Sequence, residues 1–153
     1  PERTYLDETQ KVSEAITLFE DFYKDFDRSR AISMLEKLNI DSNARIKTLS
    51  KGTKEKVQLI LVMSRRAKLY CLDEPIAGVD PAARDYILST IINNYEPDST
   101  ILISTHLISD VENILDEVVF IKNGHIVLKN DVEDIRFNQG KSVDVLFREV
   151  FKC

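Results

Sequence analysis

The chain has 153 residues, of which 43% are hydrophobic, and it carries a formal net charge of −5. This length allows one sizeable core, and no apolar run approaches the roughly 18 residues that a membrane span requires. The acidic balance argues against a nucleic-acid-binding surface, because such surfaces normally carry a basic stripe.

The cysteines bear on the redox compartment of the protein, and the first residue bears on the boundary of the chain. Cys71 and Cys153 are too few and too oddly placed for a disulfide framework, so we expect a reducing, cytoplasmic setting. The chain begins at Pro1 without an initiator methionine or a signal-like segment. We therefore expect an engineered or proteolytic boundary there.

Helices are predicted in the first part of the chain. Apolar residues recur at helical spacing over residues 12–26, and Asp27 is a suitable N-cap for a second helix. Residues 54–68 are apolar nearly all round, which predicts a helix buried between other elements. The basic residues near its end, Arg65, Arg66 and Lys68, suit the negative end of the helix dipole.

Strands and helices alternate in the next part. The apolar run 69–72 predicts a strand covered on both faces, within which Cys71 is a small apolar residue. Asp80-Pro81 predicts the start of a helix that continues to about Asn94. Residues 100–103 predict a second strand, which a right-handed crossover would pair in parallel with the first.

The last part predicts a hairpin flanked by helices. An amphipathic helix is expected over residues 107–115, and short outer helices are expected after residue 131. Residues 118–121 and 125–128 flank Asn123-Gly124, which is the strongest short signal for a type I′ hairpin. The architecture predicted from these segments is a helical layer followed by an α/β core.

Two adjacent carboxylates, Asp73 and Glu74, follow the first predicted strand. Open α/β sheets bind their ligands at the carboxyl ends of the strands. If the strand continues through both residues, their side chains point to opposite faces, so one can hold a metal while the other addresses water. An isolated Asp-Glu pair is more often a polar strand exit, and only the motifs around this pair favour catalysis.

Two further segments are candidates for binding an anion. Ser50-Lys51-Gly52-Thr53 precedes the buried helix, so its N–H groups and the positive helix end should face an anion. Taken alone, this segment is more often an ordinary helix cap. His106 follows the second predicted strand, where a lone histidine is more often a cap or a packing residue.

In their order and gaps, these motifs resemble the second half of an ABC-type ATPase. The matching segments are a signature loop at 49–53, a Walker B strand at 69–74, a D-loop at 78–80 and a switch histidine at 106. The sequence contains no G-x-x-x-x-G-K-[ST] phosphate loop. Motifs carry the resemblance over about residues 46–130. In the flanking segments, only the order of the predicted elements is similar.

The resemblance implies an α/β fold. The expected fold is a partial P-loop NTPase core with a mostly parallel sheet, a C-terminal β-hairpin and an N-terminal helical subdomain. Residues 1–68 would form the helical subdomain with the signature helix, residues 69–130 the second half of the ATPase core, and residues 131–153 a helical tail.

The resemblance also implies roles for individual residues around ATP and Mg²⁺. Asp73 would bind Mg²⁺, usually through a water, and Glu74 would be the general base. His106 would touch the γ-phosphate and the attacking water. Asp80 would contact the dimer partner beside Gly78 while it also caps the following helix.

The signature loop implies further contacts with nucleotide. Ser50 and Gly52 match the positions whose hydroxyl and N–H reach the γ-phosphate of ATP held by the other subunit. Lys51 replaces the family's first glycine, and Thr53 stands where glutamine is common. Lys51 either adds a charge-assisted contact or merely demands a less open backbone, and the sequence leaves both open.

The function implied by the resemblance is an ATP-hydrolysing subunit of an ABC transporter. Two such domains would close around two ATP molecules, with Mg²⁺, and drive a transmembrane permease from its cytoplasmic side, without nucleic acid as a partner. Residues 1–43 are the candidate region for docking the permease. The pattern Ser-Lys-Gly followed by Lys-Glu-Lys resembles ATPases of bacterial exporters whose permease is a separate chain.

Two alternatives remain open from the sequence. One is a soluble ABC-type ATPase that acts in chromosome maintenance, repair or translation. Such proteins usually carry a coiled coil or a basic arm that binds nucleic acid, and neither pattern occurs in this sequence. The other is a dimerisation or interaction module, because the sequence lacks a phosphate cradle. We expect the isolated chain to be inactive as an ATPase.

Overall fold

Helices and a parallel strand pair form the first of two compact units, Pro1–Thr105. The computed structural model describes residues 6–77, 79 and 81–151. The elements of the first unit are α1 (Val12–Phe22), α2 (Arg28–Lys37), a 3₁₀ turn (Ile46–Thr48), α3 (Lys51–Met63), β1 (Leu69–Asp73), α4 (Pro81–Asn94) and β2 (Thr100–Ser104). The second unit is His106–Cys153, and the predicted boundaries after residues 68 and 130 remain predictions.

The loop between α1 and α2 is held against the end of α3. The first helix ends at Phe22, earlier than its apolar stripe predicts, because the chain leaves the helix to form an antiparallel bridge between Phe26 and Arg65. The Asp27 N–H donates to the carbonyl of Ser64 at 2.7 Å. The predicted N-cap is confirmed, since the Asp27 carboxylate accepts from the N–H of Arg30 at 3.0 Å.

The buried helix is shifted relative to the prediction. It begins at Lys51 and ends at Met63, with Val57, Ile60, Leu61 and Met63 buried. The prediction that the helix continues to residue 68 is therefore wrong, because Ser64 is its C-cap and is followed by Arg65 and Arg66. Their guanidinium groups instead pair with Asp25 at 2.9 Å and Asp27 at 3.1 Å.

The predicted strand–helix–strand unit is present with parallel pairing, and its right-handed crossover stays a prediction. Strands β1 and β2 pair in parallel, and their register places Leu69 opposite Thr100 and Asp73 opposite Ser104. Tyr70 and Leu72 are buried, whereas Leu69 is 54% exposed and Cys71 is also exposed. The prediction that β1 is covered on both faces is thus wrong for the described residues, because alternate side chains face opposite sides and only one side is packed.

The second unit is a hairpin with short helices. Its elements are α5 (Ile108–Val111), a 3₁₀ turn (Glu112–Ile114), β3 (Glu117–Lys122), β4 (His125–Asp131), α6 (Val132–Asn138) and α7 (Val143–Phe151). Positive φ angles of 52° at Asn123 and 78° at Gly124 fit the predicted type I′ turn. The buried face of the hairpin, Val118 and Phe120, shares a core with Val132, Ile135, Val143 and Leu146.

Among the described residues, no helix combines the length and apolar character that crossing a membrane would demand.

Candidate functional site

Asp73 is the last residue of β1, and its carboxylate is exposed at the carboxyl end of the strand pair. The parallel register places Ser104, the last residue of β2, directly beside it. The Ser104 hydroxyl donates a hydrogen bond to Asp73 Oδ1 at 2.5 Å. A charge-assisted bond of this kind is short and restrains the orientation of the carboxylate.

Glu74 lies outside β1, in a left-handed backbone conformation. The strand ends at Asp73, and Glu74 has a φ of 47°, so the strand does not continue through both acids, which was the condition for their side chains to point to opposite faces. The Glu74 N–H donates to the carbonyl of Ser104 at 2.9 Å, and its own carbonyl accepts from the Ala77 N–H at 3.2 Å. A turn therefore begins at Glu74.

The conformation of Glu74 carries an energetic cost. A left-handed φ costs a non-glycine residue about 1–3 kcal/mol and persists only where surrounding contacts impose it. Its side chain is half-buried, and its Oε2 oxygen is shielded from solvent. Such backbone outliers concentrate at active sites, which supports a functional role for this carboxylate.

The predicted D-loop is described only in part. Gly78 and Asp80, the latter a candidate nucleotide-site and interface residue, lie outside the described residues. Between them, Val79 is buried, and its carbonyl accepts from Nε of Arg84 at 2.9 Å. The helix predicted to start at Pro81 is present as α4.

The predicted signature loop forms the start of α3. Ser50 is the N-cap, and its hydroxyl accepts from the Thr53 N–H at 3.2 Å and contacts Thr53 Oγ1 at 2.8 Å. Ser50 is exposed, so capping leaves the hydroxyl accessible to solvent. The cap and the phosphate-contact interpretations are therefore compatible, because a hydroxyl has both donor and acceptor capacity.

Lys51 and Gly52 occupy the first turn of α3. The side chain of Lys51 is 76% exposed, and its Nζ lies 4.0 Å from Glu55 Oε1, which is a weak surface contact. A Cβ placed on Gly52 would meet no atom of the described residues within 4 Å, and the φ of Gly52 lies outside the positive range. Packing in the described part of the chain thus does not require glycine here.

His106 opens the second unit, two residues after β2, and its side chain is exposed. Its contact with a γ-phosphate stays a prediction. His125 starts β4 in the hairpin and is likewise exposed.

The role of Ser104 in holding the two acids together was not predicted from the sequence. The signal was present, because Asp73 and Ser104 each follow an apolar strand of the same length in one strand–helix–strand unit. Parallel strands of equal length place their terminal residues in register. In the structure, Ser104 connects Asp73 through its side chain and Glu74 through its carbonyl.

The end of β1 has donors that suit a magnesium ion carried by a phosphate ligand. Mg²⁺ prefers oxygen ligands and usually takes one or two protein carboxylates, with phosphates and waters completing its shell. Asp73 offers an exposed, oriented carboxylate. No group of three or more acid, histidine or cysteine side chains suited to a metal occurs within the described ranges.

The matching family model carries the description "AAA domain, putative AbiEii toxin, Type IV TA system" and covers residues 5–109. Among curated relatives, an uncharacterized ABC transporter ATP-binding protein of Alkalihalophilus pseudofirmus is 32% identical over 92 residues, or 60% of this chain and 34% of the relative. The ABC-type transporter ATP-binding protein EcsA of Bacillus subtilis is 26% identical, over 97% of this chain and 66% of the relative.

One solved structure matches nearly the whole chain. The structure of an ATP-binding subunit of an ABC transporter superimposes with a TM-score of 0.83 and 28% identity, over 99% of this chain and 66% of that one. The first curated relatives are longer, since this chain spans only 34% to 39% of their length.

Proposed function

Because the chain belongs to the AAA-type ATPase domain family that matches residues 5–109 and is a homologue of ABC transporter ATP-binding proteins, we propose that it supplies the hydrolytic carboxylates and the signature loop of a transporter ATPase subunit. The observation that carries this proposal is the pair Asp73 and Glu74, which Ser104 holds at the carboxyl end of a parallel strand.

The two acids divide the chemistry of phosphoryl transfer. Asp73, exposed and oriented, holds Mg²⁺, either directly or through a water. Bound Mg²⁺ supplies charge neutralisation at the phosphoryl oxygens. Glu74 is the general base that orients the attacking water and takes its proton. Its half-buried position restricts its orientation, as a base of this kind requires.

The signature loop serves a second subunit. Ser50 and Lys51 are exposed at the start of α3, where the helix dipole favours negative charge. Ser50 and Gly52 donate to the γ-phosphate of ATP held by the partner domain, and the exposed Lys51 ammonium adds a positive charge nearby. His106 contacts a γ-phosphate and the attacking water, and Asp80 contacts the partner domain.

The helical layer docks a transmembrane permease. At the carboxyl end of α1, Leu18 and Tyr23 are exposed and Phe22 is 75% exposed, which gives an apolar surface suited to a protein partner. This surface lies within the region of residues 1–43 expected to dock. The subunit would then act at the cytoplasmic face of the membrane, and the signature pattern favours a bacterial exporter whose permease is a separate chain.

The proposal is tested by purifying the full-length protein that contains this chain from detergent-solubilised membranes. We expect a multispanning membrane protein to co-purify and to stimulate ATP hydrolysis. A Phe22→Asp variant should lose the membrane protein while it retains nucleotide binding, and Phe137→Asp, at an exposed position of α6, is the control. Salt-sensitive binding of nucleic acid without a membrane partner would contradict transport and favour the soluble alternative.

A further inference from the structure

We propose that Ser104 is a positioning residue for hydrolysis, which orients the Asp73 carboxylate toward Mg²⁺ and fixes the backbone from which Glu74 projects. This inference rests on the proposed function and assigns a role to Ser104, for which the resemblance implies none.

The side chain of Ser104 acts on Asp73. Its hydroxyl donates to Oδ1, so the other oxygen of the carboxylate remains to face a metal or a metal-bound water. An exposed aspartate otherwise samples several rotamers in water, and fixing one of them costs entropy when the metal binds. The hydrogen bond from Ser104 already restricts the rotamers of Asp73 before the metal binds, so less entropy is lost on binding. Hydrogen-bond partners of metal-binding carboxylates act in this way.

The backbone of Ser104 acts on Glu74. Its carbonyl accepts the Glu74 N–H at 2.9 Å, at the point where the chain enters the left-handed conformation with a φ of 47°. This bond extends the parallel pairing by one residue beyond the strand and supports the strained turn. The two effects are separable, since a substitution at position 104 removes the hydroxyl but keeps the carbonyl.

The position also makes a matched test possible. Ser104 is exposed at the end of a strand, where β-branched residues are well tolerated. Ser104→Thr keeps the hydroxyl, whereas Ser104→Val has nearly the shape of threonine without it. Thr100→Val removes a hydroxyl from the exposed, opposite end of the same strand and is the control.

The experiment measures Mn²⁺ affinity by electron paramagnetic resonance in the full-length protein with a non-hydrolysable ATP analogue. Loss of an outer-shell partner typically weakens metal binding about 10-fold to 100-fold, which is the decrease expected for Ser104→Val. Ser104→Thr and Thr100→Val should retain the parent affinity. The Mg²⁺ concentration for half-maximal ATP hydrolysis should rise in parallel for Ser104→Val alone.

The outcomes separate this inference from the proposed function. If the parent protein binds Mn²⁺ with nucleotide and Ser104→Val binds it equally well, the positioning role is wrong and the proposed function stands. If the parent binds no nucleotide, both are wrong. If thermal unfolding shows that Ser104→Val is misfolded, Ser104→Ala replaces it with the same expected loss, and parent-like affinity of that variant overturns the inference.

Discussion

Arg65 holds Asp25 and stacks on Tyr23 at the same time. Its Nη2 lies 2.9 Å and 3.1 Å from the two carboxylate oxygens of Asp25, and its Cζ lies 3.8 Å from the centroid of the Tyr23 ring. The guanidinium thereby ties the loop after α1 to the residues after α3. Ser50 caps the opposite end of α3, so this contact fixes the helix whose first turn is the candidate phosphate-facing segment.

Replacing Arg65 by lysine should destabilise the first unit. Lysine cannot reproduce the planar fork or the stacking, so we expect a loss of about 1 kcal/mol, limited by the partial exposure of both partners. Urea unfolding of the chain measures the change. Arg66→Lys is the control, because the Arg66 side chain is largely exposed and its pair with Asp27 is a surface contact. Equal losses for the two variants would contradict the role of Arg65.

The pH dependence of stability should report on Asp27. The backbone N–H of Arg30 and then the guanidinium of Arg66 hold the pKa of Asp27 below its ordinary value of 3.8. Since the folded state favours the carboxylate, this contribution is present above pH 3.8 and is lost as the pH falls through the lower pKa of the folded state.

Two substitutions at Asp27 separate its charge from its capping role. Asp27→Asn keeps a capping side chain, so its stability deficit should shrink as the pH falls below 3.8. Asp27→Ala removes the cap as well and should cost about 1 kcal/mol at neutral pH. Denaturant unfolding between acidic and neutral pH measures both variants, and a deficit of Asp27→Asn that stays constant across this range would contradict the assignment.

The hairpin turn should require glycine at position 124. Gly124 has a φ of 78°, and a Cβ at this position would meet no atom of the described residues within 4 Å, so Gly124→Ala adds backbone strain without a clash. We expect a loss of about 1–2 kcal/mol, seen as faster hydrogen exchange of the hairpin amides. Gly52→Ala is the matched control, because its helical position should leave stability unchanged or raise it by up to about 1 kcal/mol.

Local signals in the sequence predicted much of the fold. The α/β class, the parallel strand pair and the hairpin are confirmed, because Asn123-Gly124, the Asp27 cap and the apolar strands each specify structure within a few residues. The early end of α1 and the exit of Arg65 from the buried helix were not predicted. Both depend on contacts between residues 23–27 and 64–66, which are distant in sequence.

The candidate site, too, could be predicted only in part from the sequence. Its residue types and their order were readable from the sequence, and Asp73 lies at the predicted strand end. The left-handed backbone of Glu74 was not readable, since glutamate has no local preference for positive φ and the conformation is supported by Ser104 of another strand. Tertiary contacts therefore determine how the two acids are oriented.

The isolated chain should hydrolyse ATP at a rate indistinguishable from a protein-free blank. The sequence has no phosphate-loop motif, and such a loop supplies the β- and γ-phosphate cradle and its lysine. Phosphate release at millimolar Mg²⁺ and ATP measures the rate. Steady turnover by the purified chain, abolished by Glu74→Gln, would contradict this prediction and place a complete site within the chain.

The role of Glu74 as general base is the central claim, and its most direct test is Glu74→Gln in the full-length protein that contains this chain. The neutral amide should preserve nucleotide affinity but lower ATP turnover by roughly 10²-fold or more, because it cannot accept the proton of the attacking water. Glu133→Gln, an exposed substitution on α6, should leave both quantities unchanged. Parent-like turnover of Glu74→Gln, with nucleotide binding intact, would contradict the account.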